Sequence, residues 1–154
     1  MNRFQYDTEA WEECNDEDIW IFDKLILSRK LKYECGPVGL WVERPDYYIV
    51  RPCVNTEGLG RGATIEWLEK ITGHLPAGYF WCEIFKGRHI SVDYTDKVQG
   101  LTVEGFREDN DPIYKFCKWK RVKDVIPFPE FFKHLPYKYI NIEYIGNKII
   151  EIHL

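Results

Sequence analysis

The sequence predicts an α+β fold resting largely on an antiparallel sheet, and three observations carry that expectation. From residue 79 onward, apolar and polar residues alternate with a period of two, in runs separated by short turn-forming segments. Helical spacing is concentrated in the N-terminal half, above all at Ile19, Phe22, Leu25, Ile26 and Leu31. Aromatic residues make up 16% of the chain, and such side chains suit half-buried, pleated strands. At 154 residues, without internal repeat or linker, the chain reads as one domain with a real core.

The elements follow in order. Residues 8 to 15 read as a short helix with Thr8 as cap and Glu9, Glu12 and Glu13 near its positive end. A second helix is expected from about Asp18 to Lys32, capped by Asp16 or Asp18 and ended by Gly36-Pro37. Gly39 to Val42 reads as a short strand, and Tyr47 to Pro52 as another whose proline marks its end or a sheet edge. A glycine-rich loop from Asn55 to Gly62 leads into a predicted helix from Thr64 to Thr72, with Ile65, Leu68 and Ile71 inward and Gly73 as its stop. Tyr79 to Phe85, His89 to Thr95, Gly100 to Phe106 and Tyr114 to Val122 then read as a consecutive antiparallel meander. Pro129 to His134 permits a helical turn or two, and a hairpin, Tyr139 to Ile145 and Ile149 to Leu154, closes the chain.

That hairpin is the most informative segment. A two-residue turn at Gly146-Asn147 would pair Glu143 with residue 150 and place a carboxylate in an apolar face. A three-residue loop, 146 to 148, pairs Glu143 with Glu151 and Asn141 with His153, and both faces become coherent. Two carboxylates directly opposite repel, so compensation is expected from a proton, a nearby Lys or Arg, or a hard divalent cation. A plain solvated face is the competing reading.

Composition sets further limits. No apolar run approaches the roughly 18 residues of a membrane-spanning helix. The N-terminal stretch turns acidic instead of forming a secretory signal, so the expected location is the cytoplasm. The cysteines at 14, 35, 53, 82 and 117 form no C-x-x-C pair, which argues against disulfides and structural zinc and for small, mostly buried hydrophobes. A net charge of −4 disfavours nonspecific duplex binding, although Lys115, Lys118, Lys120, Arg121 and Lys123 around Trp119 could serve a single strand.

Read together, several segments resemble the ATP-grasp superfamily. Lys24 stands in the position of the helix lysine, Arg51-Pro52 in that of a strand Lys-Pro, and Gly58, Gly60 and Gly62 in that of the flexible glycine loop. Trp81 to Gly87 resembles the hinge and its hairpin, while Ile142-Glu143-Tyr144 and Glu151-Ile152-His153 look like the metal-binding strands. The likeness runs through most of residues 18 to 154 and is nearest to small phage-encoded proteins of this type. It implies a single ATP-grasp-like domain with an N-terminal lobe over about 16–78 and a C-terminal lobe over about 79–154.

The resemblance implies ATP and Mg²⁺ or Mn²⁺ as cofactors, and ligase chemistry joining a carboxylate to an amine through an acyl phosphate. Lys24, Arg51, Asn55, Gly58, Gly60, Gly62 and Glu83 would hold the nucleotide. Arg51, Lys118 and Arg107 would act on the transferred phosphate, and Glu143, Glu151 and His153 would bind metal. The partners implied are nucleotide and a small-molecule or peptide substrate. Three positions depart from the family pattern: Arg51 for Lys, His89 for the hairpin Glu and His153 for Asn. Arginine keeps a cation as a rigid fork, and imidazole suits Mn²⁺ better than Mg²⁺. The alternatives are a non-catalytic phage accessory module on a degenerate version of the fold, or a single-stranded nucleic-acid binder.

Overall fold

The computed structural model describes residues 7–54 and 60–154. Two antiparallel sheets organise the chain. Strands β1 (Cys35–Pro37), β2 (Asp46–Pro52), β3 (Thr64–Leu68) and β4 (Tyr79–Glu83) form the first, in the order β1-β4-β2-β3. Strands β5 (His89–Thr95), β6 (Val98–Phe106), β7 (Lys118–Arg121), β8 (Tyr139–Ile145) and β9 (Lys148–His153) form the second, in the order β7-β6-β5-β8-β9. Helix α1 (Asp7–Glu13), a 3-10 segment (Asp16–Phe22) and helix α2 (Lys24–Lys30) precede the sheets, and a 3-10 turn spans Glu130–Phe132.

Each sheet packs its own core on one face. Tyr48, Val50, Leu68 and Trp81 cluster with Val42 and Leu75 beneath the first sheet. Ile90, Val92, Ile142 and Ile152 cluster beneath the second with Leu27 of α2 and Phe132. Because side chains alternate along a strand, the partners of these core residues emerge on the opposite faces. Ile49 and Arg51 therefore leave the Tyr48/Val50 face, and His89, Ser91, Glu143, Glu151 and His153 leave the second core.

Several local expectations need correcting. The predicted helix from Thr64 to Thr72 is strand β3, paired with β2 from Asp46↔Leu68 to Val50↔Thr64. Leu68 is fully buried whereas Ile65 and Trp67 are half-exposed, so the period here is two. The long helix expected from Asp18 to Lys32 is broken at Asp23, whose carboxylate accepts from the backbone N–H groups of Leu25 and Ile26 and starts α2 afresh. The strand expected at Gly39 to Val42 lies instead at Cys35–Pro37. Tyr79–Glu83 does not open the meander; it pairs with β2 and β1 in the first sheet. Of Tyr114 to Val122, Lys118–Arg121 is strand. The cysteines are free, and of the five only Cys82 is fully buried.

The closing hairpin has the expected pairing by a different device. Asn141 faces His153, Ile142 faces Ile152 and Glu143 faces Glu151. The turn, however, is the two-residue Gly146-Asn147, and a bulge at Ile150 absorbs the extra residue between Glu143↔Glu151 and Tyr144↔Ile149. Ile149 and Ile150 are consequently both buried.

Candidate functional site

A cleft of about 1350 Å³ lies between the sheets, lined by Lys24 and Arg51 from one side and by His89, Glu143, Glu151 and His153 from the other. Each side chain has a local reason to be there. Lys24 is the first residue of α2, and its backbone N–H donates to the Cys53 carbonyl at 2.8 Å, tying the helix start to the end of β2. Arg51 follows Val50 onto the cleft face of β2 and is only 8% exposed. One of its nitrogens, Nη2, donates to the Ile150 carbonyl at 3.1 Å, and its guanidinium lies 5.3 Å from the Phe80 ring centroid. The β9 bulge releases Ile150 from regular pairing, which leaves its carbonyl to accept Arg51 across the sheets.

The electrostatics are built from opposed charges. Lys24 Nζ meets Glu151 Oε1 at 2.8 Å. His89 donates through Nε2 to Glu143 Oε2 at 2.8 Å. His153 donates through Nδ1 to Asp7 Oδ1 at 2.9 Å, and its Nε2 stands 3.7 Å from Glu143 and 4.0 Å from Glu151. The carboxylate repulsion expected in this register is thus relieved by a lysine and two histidines. Burial alone would push Glu143 upward, but His153 and His89 outweigh it and hold the carboxyl well below the usual carboxylate range. Burial would lower His153, whereas Asp7 and Glu143, with Glu151, raise it to about 10.

Arg51 is the exception to this pairing. Its Nε is buried with no hydrogen-bond partner, and no carboxylate among the described residues forms an ion pair with it. A buried guanidinium without a counter-ion among the described residues, facing a cleft, is complementary to an anion.

The other predicted residues are distributed as follows. Gly60, Glu83 and Arg107 also line the cleft. Glu83 accepts from the backbone N–H of Glu34 at 3.0 Å. Gly62 has φ +85°, and a Cβ there would stand 2.6 Å from the Tyr79 hydroxyl. Lys118 is exposed on β7 and is not part of the cleft wall. Asn55 and Gly58 lie outside the described residues. Among the described residues, no three His, Cys, Asp or Glu side chains are grouped so as to hold a metal ion. No helix among them is long and apolar enough to cross a membrane.

Sequence reasoning missed Asp7, 146 positions from its partner His153, and the contact between His89 and Glu143. No local pattern flags Asp7. His89 carried a signal, because in β5 it shares a face with Ser91 and is paired to Ile145, one pleat from Glu143.

No family model and no curated protein matches the sequence. A solved structure from Archaeoglobus fulgidus, assigned to the ATP-grasp superfamily, is similar to 99% of this chain at 15% identity with a TM-score of 0.53. D-alanine–D-alanine ligase from Bacillus anthracis is matched over 88% of the chain (15% identity, TM-score 0.48), and the ATP-grasp ligase PsnB with its minimal precursor over 96% (15% identity, TM-score 0.48). The chain spans 54%, 56% and 54% of those structures respectively, about half of each. The chain has an ATP-grasp-like α+β fold.

Proposed function

We propose that the chain binds ATP in the cleft between its sheets and performs ligase-type chemistry that joins a carboxylate to an amine. The observation that carries this reading is Arg51, a buried guanidinium whose Nε has no partner, facing a cleft that Lys24 also lines. Phosphate oxygens supply the charge and acceptors this pair requires. Gly60, in the left-handed region at φ +71°, borders the same space, and its own backbone carries no side chain to keep such a ligand away.

In this reaction class a substrate carboxylate oxygen attacks the γ-phosphorus, ADP leaves, and an amine then displaces phosphate from the acyl carbon. The chain's contribution is positioning and neutralisation of charge. Arg51 and Lys24 would hold phosphate oxygens, and Arg107 lies along the same cleft as a further cation. Glu143 and Glu151 offer hard oxygen donors on one face, with His153 beside them; these three are not grouped as a metal cage, so they would hold Mg²⁺ or Mn²⁺ only together with phosphate oxygens. A bound divalent ion would neutralise phosphate charge. Glu151 would hold that ion in place of its ion pair with Lys24, and the lysine would then be available to phosphate.

A second reading is favoured by one observation. Both carboxylates already have partners within the chain, Lys24 on Glu151 and the two histidines on Glu143, an arrangement that also suits a binding module without turnover. A melting-temperature screen of ATP, ADP and GTP with Mg²⁺ or Mn²⁺ tests the nucleotide claim. A ligand at 100 times its Kd stabilises the native state by about 2.7 kcal/mol, a rise of roughly 5–11 °C for a chain of this size. The absence of any nucleotide-dependent rise defeats the proposal, and a rise without phosphate release selects the second reading.

A further inference from the structure

Beyond the carboxylates, along the outer strands of the second sheet, the cleft wall changes from charged to aromatic. His89, bonded to Glu143, turns its ring edge to Phe116 (centroids 4.6 Å, 70°) and Trp119 (5.6 Å, 87°). Phe116 and Trp119 stand 4.9 Å apart, and all three line the cleft. The floor beneath them is Gly105, paired with Trp119 across the β6–β7 ladder. A Cβ at Gly105 would come within 2.7 Å of Phe116 and 3.0 Å of Trp119, so the two rings lie against β6 because that position has no side chain. Trp119 nevertheless remains 44% exposed, an incompletely covered aromatic surface one side chain from the acids.

The charges around this patch select an occupant. Arg88 is held by Asp124 and Glu104, and Lys115 by Asp111. Arg107, the residue after β6, lines the cleft and forms no ion pair with any described residue. Lys118 and Lys120 alternate with Trp119 along β7 and so project from the other face, where Lys120 lies 4.9 Å from the Phe106 ring. Aromatic rings and lysines therefore do not form one surface, as a platform tracking a nucleic-acid backbone requires. What remains is a ring-stacking surface beside the Arg107 guanidinium, which has no ion-pair partner among the described residues.

We propose that Phe116 and Trp119, with Arg107, form the subsite for the carboxylate substrate, and that this substrate carries a planar aromatic ring. The assignment rests on the ligase-type reading above. The ring stacks on Trp119 and Phe116, and Arg107 supplies the counter-charge to the carboxylate.

Ligand-observed NMR titration of the intact protein tests it with a matched set: phenylacetate, phenylacetamide without the charge, and cyclohexylacetate without the aromatic ring. Phenylacetate is expected to bind about three- to tenfold more tightly than either analogue. Trp119→Ala should weaken phenylacetate by a similar factor, and Trp119→Phe should restore most of it. Arg107→Gln should erase the preference for phenylacetate over phenylacetamide. Equal binding of the three probes, or phenylacetate binding indifferent to Trp119→Ala, overturns the proposal. So does Trp119-dependent binding of oligothymidylate in place of phenylacetate, which reassigns the patch to nucleic acid. The ATP-induced melting shift of the same wild-type sample is read separately, so failure of this subsite is distinguishable from failure of the nucleotide reading.

Discussion

Replacing Lys24 by Met should destabilise the protein even though methionine packs well. The Lys24 and Glu151 side chains are 6% and 17% exposed and meet at 2.8 Å. Removing one partner of a buried pair costs about 3–5 kcal/mol, chiefly because the surviving charge is left uncompensated. Two features reduce that figure here. Glu151 keeps some contact with water, and His153 remains 4.0 Å away as a second cation. The expected loss is about 2–3 kcal/mol, or roughly 4–12 °C in melting temperature. Glu151→Gln alone should also destabilise, because it leaves a buried lysine unpaired; relief of carboxylate repulsion does not apply once Lys24 is in contact. The double variant Lys24→Met/Glu151→Gln should recover much of the loss. Urea unfolding of the four proteins as a double-mutant cycle measures this, with an expected coupling of about 1–3 kcal/mol. A Lys24→Met variant within about 0.5 kcal/mol of wild type refutes the claim that this pair organises the site.

Two further outcomes follow from the same geometry. His153 is raised to about 10, so its contribution to stability is complete below its unfolded value near 6.5 and declines as pH rises through 10. The melting temperature should therefore fall more steeply between pH 7 and 10 in wild type than in Asp7→Asn, and parallel curves would remove the His153–Asp7 pair as the cause. Gly146 has φ +60°, and a Cβ there would stand 2.6 Å from the Lys86 carbonyl oxygen. Gly146→Ala should cost at least about 1–2 kcal/mol by chemical denaturation, and unchanged stability would show that the turn relaxes freely.

The acidic hairpin was legible in the sequence because its faces constrain it. Ile142 and Ile152 must be buried together, and that alone sets Glu143 against Glu151. The means were not legible, since a three-residue loop and a two-residue turn with a bulge insert the same extra residue. The difference matters, because the bulge at Ile150 exposes the carbonyl that Arg51 engages. Strand β3 was misread because Ile65, Leu68 and Ile71 fit a helical spacing. Tertiary pairing with β2 decides that segment, leaving Ile65 facing the cleft and Ile71 exposed. The meander was overextended at Tyr79–Glu83 for a related reason: alternation reveals a strand but not its partner, and this strand's partners are β2 and β1. Convergence of Lys24 and Arg51 was anticipated through the family resemblance, whereas their local settings, the Asp23 cap and the Cys53 carbonyl, are visible only in the fold.

Arg51 is proposed to hold a phosphate of the nucleotide. Calorimetric titration of ATP into wild type, Arg51→Ala and Arg51→Lys, each with Mg²⁺, Mn²⁺ or chelator, tests it most directly, with circular dichroism confirming that each variant is folded. Wild type should bind ATP more tightly with a divalent ion than without, Arg51→Ala at least about tenfold more weakly, and Arg51→Lys, which keeps the charge without the fork, should recover part of the loss. Wild-type protein that takes up no ATP, or a folded Arg51→Ala that binds ATP as well as wild type, would contradict it.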